Sequence, residues 1–411
     1  MFSENVRKRR GNKMTDRFDF ETLVDRTNIG NLKDSITPEN LKEQEIPSFA
    51  AAEMDFKTAP SVIQSITDMA QRGIYGFTVI TDDYKNAVKW WLKEERNWEI
   101  DGKWISPVLG TIYSIATAIR MTTNEGQGVI VQTPVYYRYE QAINRLQRKT
   151  VHNHLKVVDG KYEMDFKDLE EKMKNPENKL LVLCNAHNPI GRVWKKEELK
   201  KVASLSVKYD VIVICDEIFG EITFGEHKVV PYASIAEGRQ NAITVVSLGK
   251  AFNFTGINHA NVVIPDEKLR ERYNRQKYAD HYGSIGPFEY ASVLGAYCPN
   301  GKKWFEAARK YIEENAKMIT EFFASNIKEA YLFPIEGTTV CWVDWTRLGI
   351  EGKELHDFFE KEAFFEVESG DVYSPECTNM TRINLSSPRH LIHEALVRTK
   401  NAIDRRKYMQ V

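Results

Sequence analysis

Four short apolar runs constrain the fold of this chain more than any other feature: Val129–Gln132, Leu180–Cys184, Val211–Cys215 and Ala242–Ser247. They are rich in β-branched residues and lack the in–out alternation of a strand with one wet face. Such runs suit strands buried on both faces, as in a parallel sheet covered by helices. Helical patterns lie between and before them. Ser61–Arg72 follows Pro60, a residue at home in a first helical turn, and Glu197–Tyr209 repeats its apolar residues at helical spacing. The alternation predicts an α/β doubly wound domain.

After about residue 300 the texture changes. Lys303–Ser325, Gly352–Ala363 and His390–Arg405 read as helices, and Val340–Trp345 and Met380–Leu385 as strands. This mixture predicts a second, smaller α+β domain. The expected organisation is a basic tail over 1–17, a segment 18–60 packing with the small domain, a large domain over 61–295 and the small domain over 296–411. Within the tail, Lys8, Arg9 and Arg10 precede no apolar stretch, which argues against a secretory signal; a start at Met14 is the alternative.

Composition excludes several function classes. Lys plus Arg total 57 and Asp plus Glu 58, a balance unlike that of a nucleic-acid binder. No apolar run reaches the roughly 18 residues of a membrane span. The five cysteines form no CxxC pair, which argues against a disulfide framework or zinc ribbon and fits a cytoplasmic setting. No metal site is expected: His152 and His154 alternate on a predicted strand without a third ligand. Cys184, Cys215 and the Trp90–Trp91 pair read as packing residues, and His187 as support for a turn.

Ligands in open α/β sheets bind at the carboxyl ends of strands. Three strand ends each deliver a polar residue there: Asn188, within Asn185-Ala-His-Asn-Pro-Ile-Gly191; Asp216, within Cys215-Asp-Glu-Ile-Phe219; and Lys250, within Ser247-Leu-Gly-Lys250. Each alone has a structural explanation as turn residue, helix cap or solvated lysine. The ordered set of three does not.

This set resembles the fold-type I pyridoxal-phosphate (PLP) enzymes, the aspartate aminotransferase superfamily. Phe18-Asp-Phe20, Glu53-Met-Asp-Phe56, Gln132-Thr-Pro-Val-Tyr-Tyr137, Lys250-Ala-Phe-Asn253 and Arg382-Ile-Asn384 are similar to motifs of its MalY/PatB-type cystathionine β-lyase group. The resemblance spans about residues 18–405. It implies a large domain with a mostly parallel seven-stranded sheet, a smaller α+β domain, and a homodimer with shared active sites. It implies that Lys250 holds the cofactor's aldehyde and acts as acid and base. Asp216 would face the pyridine nitrogen, Asn188 the phenolic oxygen, and Tyr136 the ring. Gly110, Thr111, Ser247 and, across the dimer, Tyr75 would serve the phosphate. Arg382, with Ala52 and Asn188, would bind the amino-acid substrate, arginine taking its carboxylate.

Several positions depart from the group's pattern. Ala50 replaces an aromatic and Glu53 an aspartate; Tyr75 and Phe77 exchange places; Val108 stands where a turn glycine is usual; and Phe219 replaces a histidine. Asn258, where many fold-type I enzymes carry arginine, is similar to the β-lyase group and favours that branch over a typical aminotransferase. The implied activity is β-elimination from cystathionine or cysteine S-conjugates to pyruvate, ammonia and a thiol. The alternatives are an aminotransferase and a weakly active PLP-binding regulatory protein.

Overall fold

The computed structural model describes residues 18–27, 29–44, 46–280 and 285–409; the expected basic tail over 1–17 lies outside them. Among the described residues nine strands precede residue 270: β1 (Ile105–Val108), β2 (Gly128–Thr133), β3 (Lys149–His154), β4 (Lys156–Val158), β5 (Lys161–Glu163), β6 (Asn178–Cys184), β7 (Ile212–Asp216), β8 (Ala242–Val246) and β9 (Ala260–Val263). Seven form one sheet in the order β1-β9-β8-β7-β6-β2-β3, and β4–β5 is a separate hairpin. The pairs β3–β2, β2–β6, β6–β7 and β7–β8 are parallel, whereas β9 runs antiparallel to both its neighbours.

The mostly parallel sheet is buried on both faces, as the unbroken apolar runs require. Along β6, Leu181 and Leu183 enter one core while Leu180, Val182 and Cys184 enter the other. The first core is closed by helices Asp82–Arg96, Phe166–Lys174 and Lys196–Lys208, and the second by Thr111–Thr122, Arg138–Arg145 and Glu267–Ala279. The Trp90–Trp91 pair lies on Asp82–Arg96, where Trp91 stacks on Tyr297 at 4.9 Å. Arg96 ends the same helix and is buried against Glu217 (2.6 Å) and Glu221 (2.9 Å), tying it to the loop after β7.

A second, antiparallel sheet comprises β10 (Tyr331–Leu332), β11 (Val340–Asp344), β12 (Glu368–Ser369) and β13 (Met380–Asn384), in the order β10-β11-β13-β12. Helices Pro299–Asn326 and Arg389–Met409 supply Phe323, Ile392 and Leu396 to its core, around Trp345 and Ile383. The expected helix over Gly352–Ala363 forms in two parts, with a wider π turn from Phe358 to Ala363 before Phe364 turns left-handed at φ 60°. The N-terminal segment is stitched to this sheet: Phe49 N–H donates to Glu366 O, Asn384 N–H to Phe49 O, and Asp55 N–H to Ser386 O, each at 2.9 Å.

The edge pair β1–β9 does not announce itself in sequence. β1 contains Pro107, which a central strand would reject; it is tolerated because β1 is the outermost strand. Val108 accordingly ends a strand and does not turn, and the positive φ falls on Gly110 (φ 85°).

Candidate active site

The register of the three central parallel strands brings the predicted trio together. Cys184 at the end of β6 pairs with Asp216 at the end of β7, and Asp216 with Val245 near the end of β8. The loops that follow carry Asn188 and Lys250 to the same sheet edge.

Ser247 caps the four-residue helix Leu248–Ala251, and Lys250 projects from that single turn. Its Nζ donates to Ala52 O at 2.8 Å and lies 5.7 Å from the centre of the Phe219 ring. Burial pushes the amine down to about 8, helped by the positive Arg382 and opposed by Glu53 and Asp216. Ala52 thus meets the site through its carbonyl, held there by the stitching of residues 49–55 to β13.

Asp216 is 2% exposed. Tyr139 O–H donates to its Oδ2, and Ile218 N–H to its Oδ1 at 3.2 Å. Burial raises the carboxyl to about 6, and the Tyr139 hydrogen bond pulls the other way. No helix follows β7 directly, so Asp216 closes a local turn where a helix cap was the structural alternative. Tyr139 was not foreseen: it lies in the first turn of helix Arg138–Arg145, whereas Tyr136 precedes that helix. Tyr136 packs edge-on to Tyr137 (5.2 Å) and Tyr139 (5.7 Å), and burial pushes its phenol up to about 12.

Arg382 projects from β13 and is 3% exposed. It donates through Nη1 to Asn188 Oδ1 (3.2 Å) and through Nη2 to Glu368 (2.7 Å) and to Ala50 O. Because Asn188 accepts through oxygen, its amide N–H groups are directed elsewhere and remain donors. Glu53 pairs with Arg26 at 2.9 Å. Glu368 and Tyr373, 5.2 Å from Arg382 as ring to guanidinium, were not foreseen, because only the fold brings them to Arg382.

At the far end, Gly110 caps helix Thr111–Thr122, and Thr111 is its first residue, not its cap. Behind Gly110 lies the backbone of Asn258 and His259, 3.9–4.0 Å from where a Cβ would stand. Ser247 Oγ donates to His259 O at 2.8 Å and accepts from Gly249 N–H, so in this rotamer its proton is committed within the chain. Tyr75 stands apart: it is 55% exposed, donates to Ala70 O at 2.7 Å and packs on Phe288. His187 is buried with Nε2 2.9 Å from Pro134 O, and burial depresses it to about 4, so it remains a neutral support of its loop. Cys184 and Cys215 are buried.

The donor set fits PLP by its chemistry. A buried amine of lowered basicity suits an aldehyde, a buried carboxylate suits a ring nitrogen, an amide donor suits a phenolate, and a helix N-terminus suits a phosphate.

The Aminotransferase class I and II model matches residues 41–398. The chain is 28% identical over 353 residues to cystathionine β-lyase PatB of Bacillus subtilis, covering 86% of this chain and 91% of that protein. It is 27% identical to protein MalY of Escherichia coli, with 94% and 99% covered. Among solved structures, PLP-containing cystalysin from Treponema denticola superposes with a TM-score of 0.89 at 31% identity, covering 95% of this chain and 99% of that one. A PLP-bound aminotransferase-like structure from Clostridium difficile gives 0.88 at 32%, with 94% and 100% covered. The match over most of its length places this chain in the class I and II aminotransferase family.

Proposed function

We propose that the protein is a PLP-dependent carbon–sulfur β-lyase acting on cystathionine or a cysteine S-conjugate, and that it works as a homodimer. The observation that carries this reading is the convergence of Asn188, Asp216 and Lys250 at one edge of the seven-stranded sheet, where Arg382 reaches Asn188 from β13 of the second sheet. The names of the relatives favour β-elimination over transamination.

In this reading Lys250, Asp216, Asn188, Tyr136, Gly110, Thr111 and Ser247 hold the cofactor, with Tyr75 serving the partner's site. When bound, PLP supplies an electron sink conjugated to the substrate Cα. Arg382 orients the substrate carboxylate through its guanidinium. Lys250, with its amine held down near 8, removes the Cα proton. Asp216 keeps its charge opposite the pyridine nitrogen, aided by Tyr139. Phe219 and the Ala52 carbonyl flank the Lys250 amine and hold it in place. The Cβ–S bond breaks with its electron pair leaving on sulfur, and the thiolate takes a proton. Water then converts the released three-carbon enamine to pyruvate and ammonia.

Incubation of the PLP-loaded protein with cystathionine should release thiol and pyruvate in equal amounts with no 2-oxo acid added. If pyruvate and thiol stay absent, while the cofactor passes to its pyridoxamine form and returns on adding a 2-oxo acid, the protein is an aminotransferase.

A further inference from the structure

A guanidinium alone can pair with a carboxylate, but a second group here adjoins Arg382. Tyr373 follows the short turn Gly370–Val372 and is 2% exposed. Its ring faces the Arg382 guanidinium at 5.2 Å, and it packs edge-on against Trp342 (5.6 Å) and Tyr137 (6.3 Å). This cage fixes the ring, and its backbone is fixed too: Val135 N–H donates to Tyr373 O at 3.4 Å, beside Tyr136.

The hydroxyl at the end of this fixed ring is buried and has no hydrogen-bond partner among the described residues. Arg382 Nε, also buried, is likewise without one. A buried polar group left unpaired is costly, so native proteins seldom keep two side by side without a purpose. Arg382's other nitrogens are engaged by Asn188, Glu368 and Ala50. The unpaired pair therefore comprises one N–H and one O–H on adjoining side chains. Burial also pushes the Tyr373 phenol far above its usual range, which keeps it a donor.

We propose that the Tyr373 hydroxyl is a substrate-binding donor, completing with Arg382 Nε a two-point clamp for the α-carboxylate of the amino-acid substrate. This rests on the reading of Arg382 as the carboxylate site. A phenylalanine would keep the ring packing and lose only the clamp's second donor, so tyrosine sets the preference for amino acids over simple amines.

The test compares PLP-loaded wild type with Tyr373→Phe. Equilibrium binding is read from the cofactor's visible absorbance during titration with L-alanine, which has no leaving group at Cβ, and with ethylamine, which has no carboxylate. The proposal expects Tyr373→Phe to weaken L-alanine binding roughly ten- to a hundredfold, the range for a hydrogen bond to a charged group, with ethylamine unchanged. Equal loss for both ligands, or no loss for either, would overturn it. If wild type binds L-alanine no better than ethylamine, the carboxylate role of Arg382 fails as well, a result distinct from a wild-type preference that Tyr373→Phe leaves intact.

Discussion

A lysine amine attacks an aldehyde only when neutral, so the environment of Lys250 decides the pH at which the protein can take up its cofactor. Burial, the first cause, and Arg382, the second, lower its pKa from 10.5 to about 8. Below about 8 the amine is protonated and slow; above it the neutral fraction saturates. Uptake of PLP by the apoprotein should therefore accelerate with rising pH and level off past a midpoint near 8, followed by stopped-flow absorbance. A midpoint near the ordinary lysine value would mean that Lys250 is solvated. Lys250→Ala should abolish both the Schiff-base absorbance and turnover. Asn188, Asp216 and Lys250 were legible in sequence because they end, or closely follow, the most recognisable strands. Tyr139, Glu368 and Tyr373 were not, because each gains its role from a partner distant in the chain: Asp216 for the first, Arg382 for the others.

Among the elements, the helix Thr111–Thr122 shows what a sequence pattern can and cannot reveal. The absence of a turn glycine at 108 was readable. Where the turn moved was not readable, because that depends on β1 being an edge strand that continues through Pro107 and Val108. The burden falls on Gly110, whose φ of 85° and ψ of 177° lie in a region that only glycine occupies readily. Space is not the obstacle, since a Cβ would find its nearest backbone at 3.9 Å. Gly110→Ala should thus cost about 1–3 kcal/mol of stability through backbone strain, seen as a lower urea midpoint. PLP affinity should fall with it, because relief of the strain turns the first amides of the helix away from the phosphate. A variant of unchanged midpoint and affinity would show that the turn relaxes freely.

At the scale of the whole molecule, the central parallel strands β2, β6, β7 and β8 were legible from their short apolar runs, as were β11 and β13 of the second sheet. What the chain does with residues 74–79 was not. This stretch belongs to no helix or strand and carries Ile74 (79% exposed), Tyr75 (55%), Phe77 (106%) and Val79 (73%) in close succession. Large apolar side chains so concentrated and so bare usually mark a surface that another protein covers. A second copy is the occupant the dimer reading requires, and it explains why the exchange of tyrosine and phenylalanine was tolerated: Phe77 would bury its ring while Tyr75 keeps a hydroxyl within the same extended stretch. Phe77→Asp places a charge in that contact without touching the chain's own core. It should shift sedimentation at micromolar concentration from twice the chain mass toward the single chain, and PLP content and turnover should fall in parallel because each site loses its neighbour's contribution. The urea midpoint measured on the monomeric fraction separates this from simple unfolding. If Phe77→Asp remains dimeric with full turnover, residues 74–79 lie outside the interface; if wild type is itself monomeric and fully active, each site is complete within one chain.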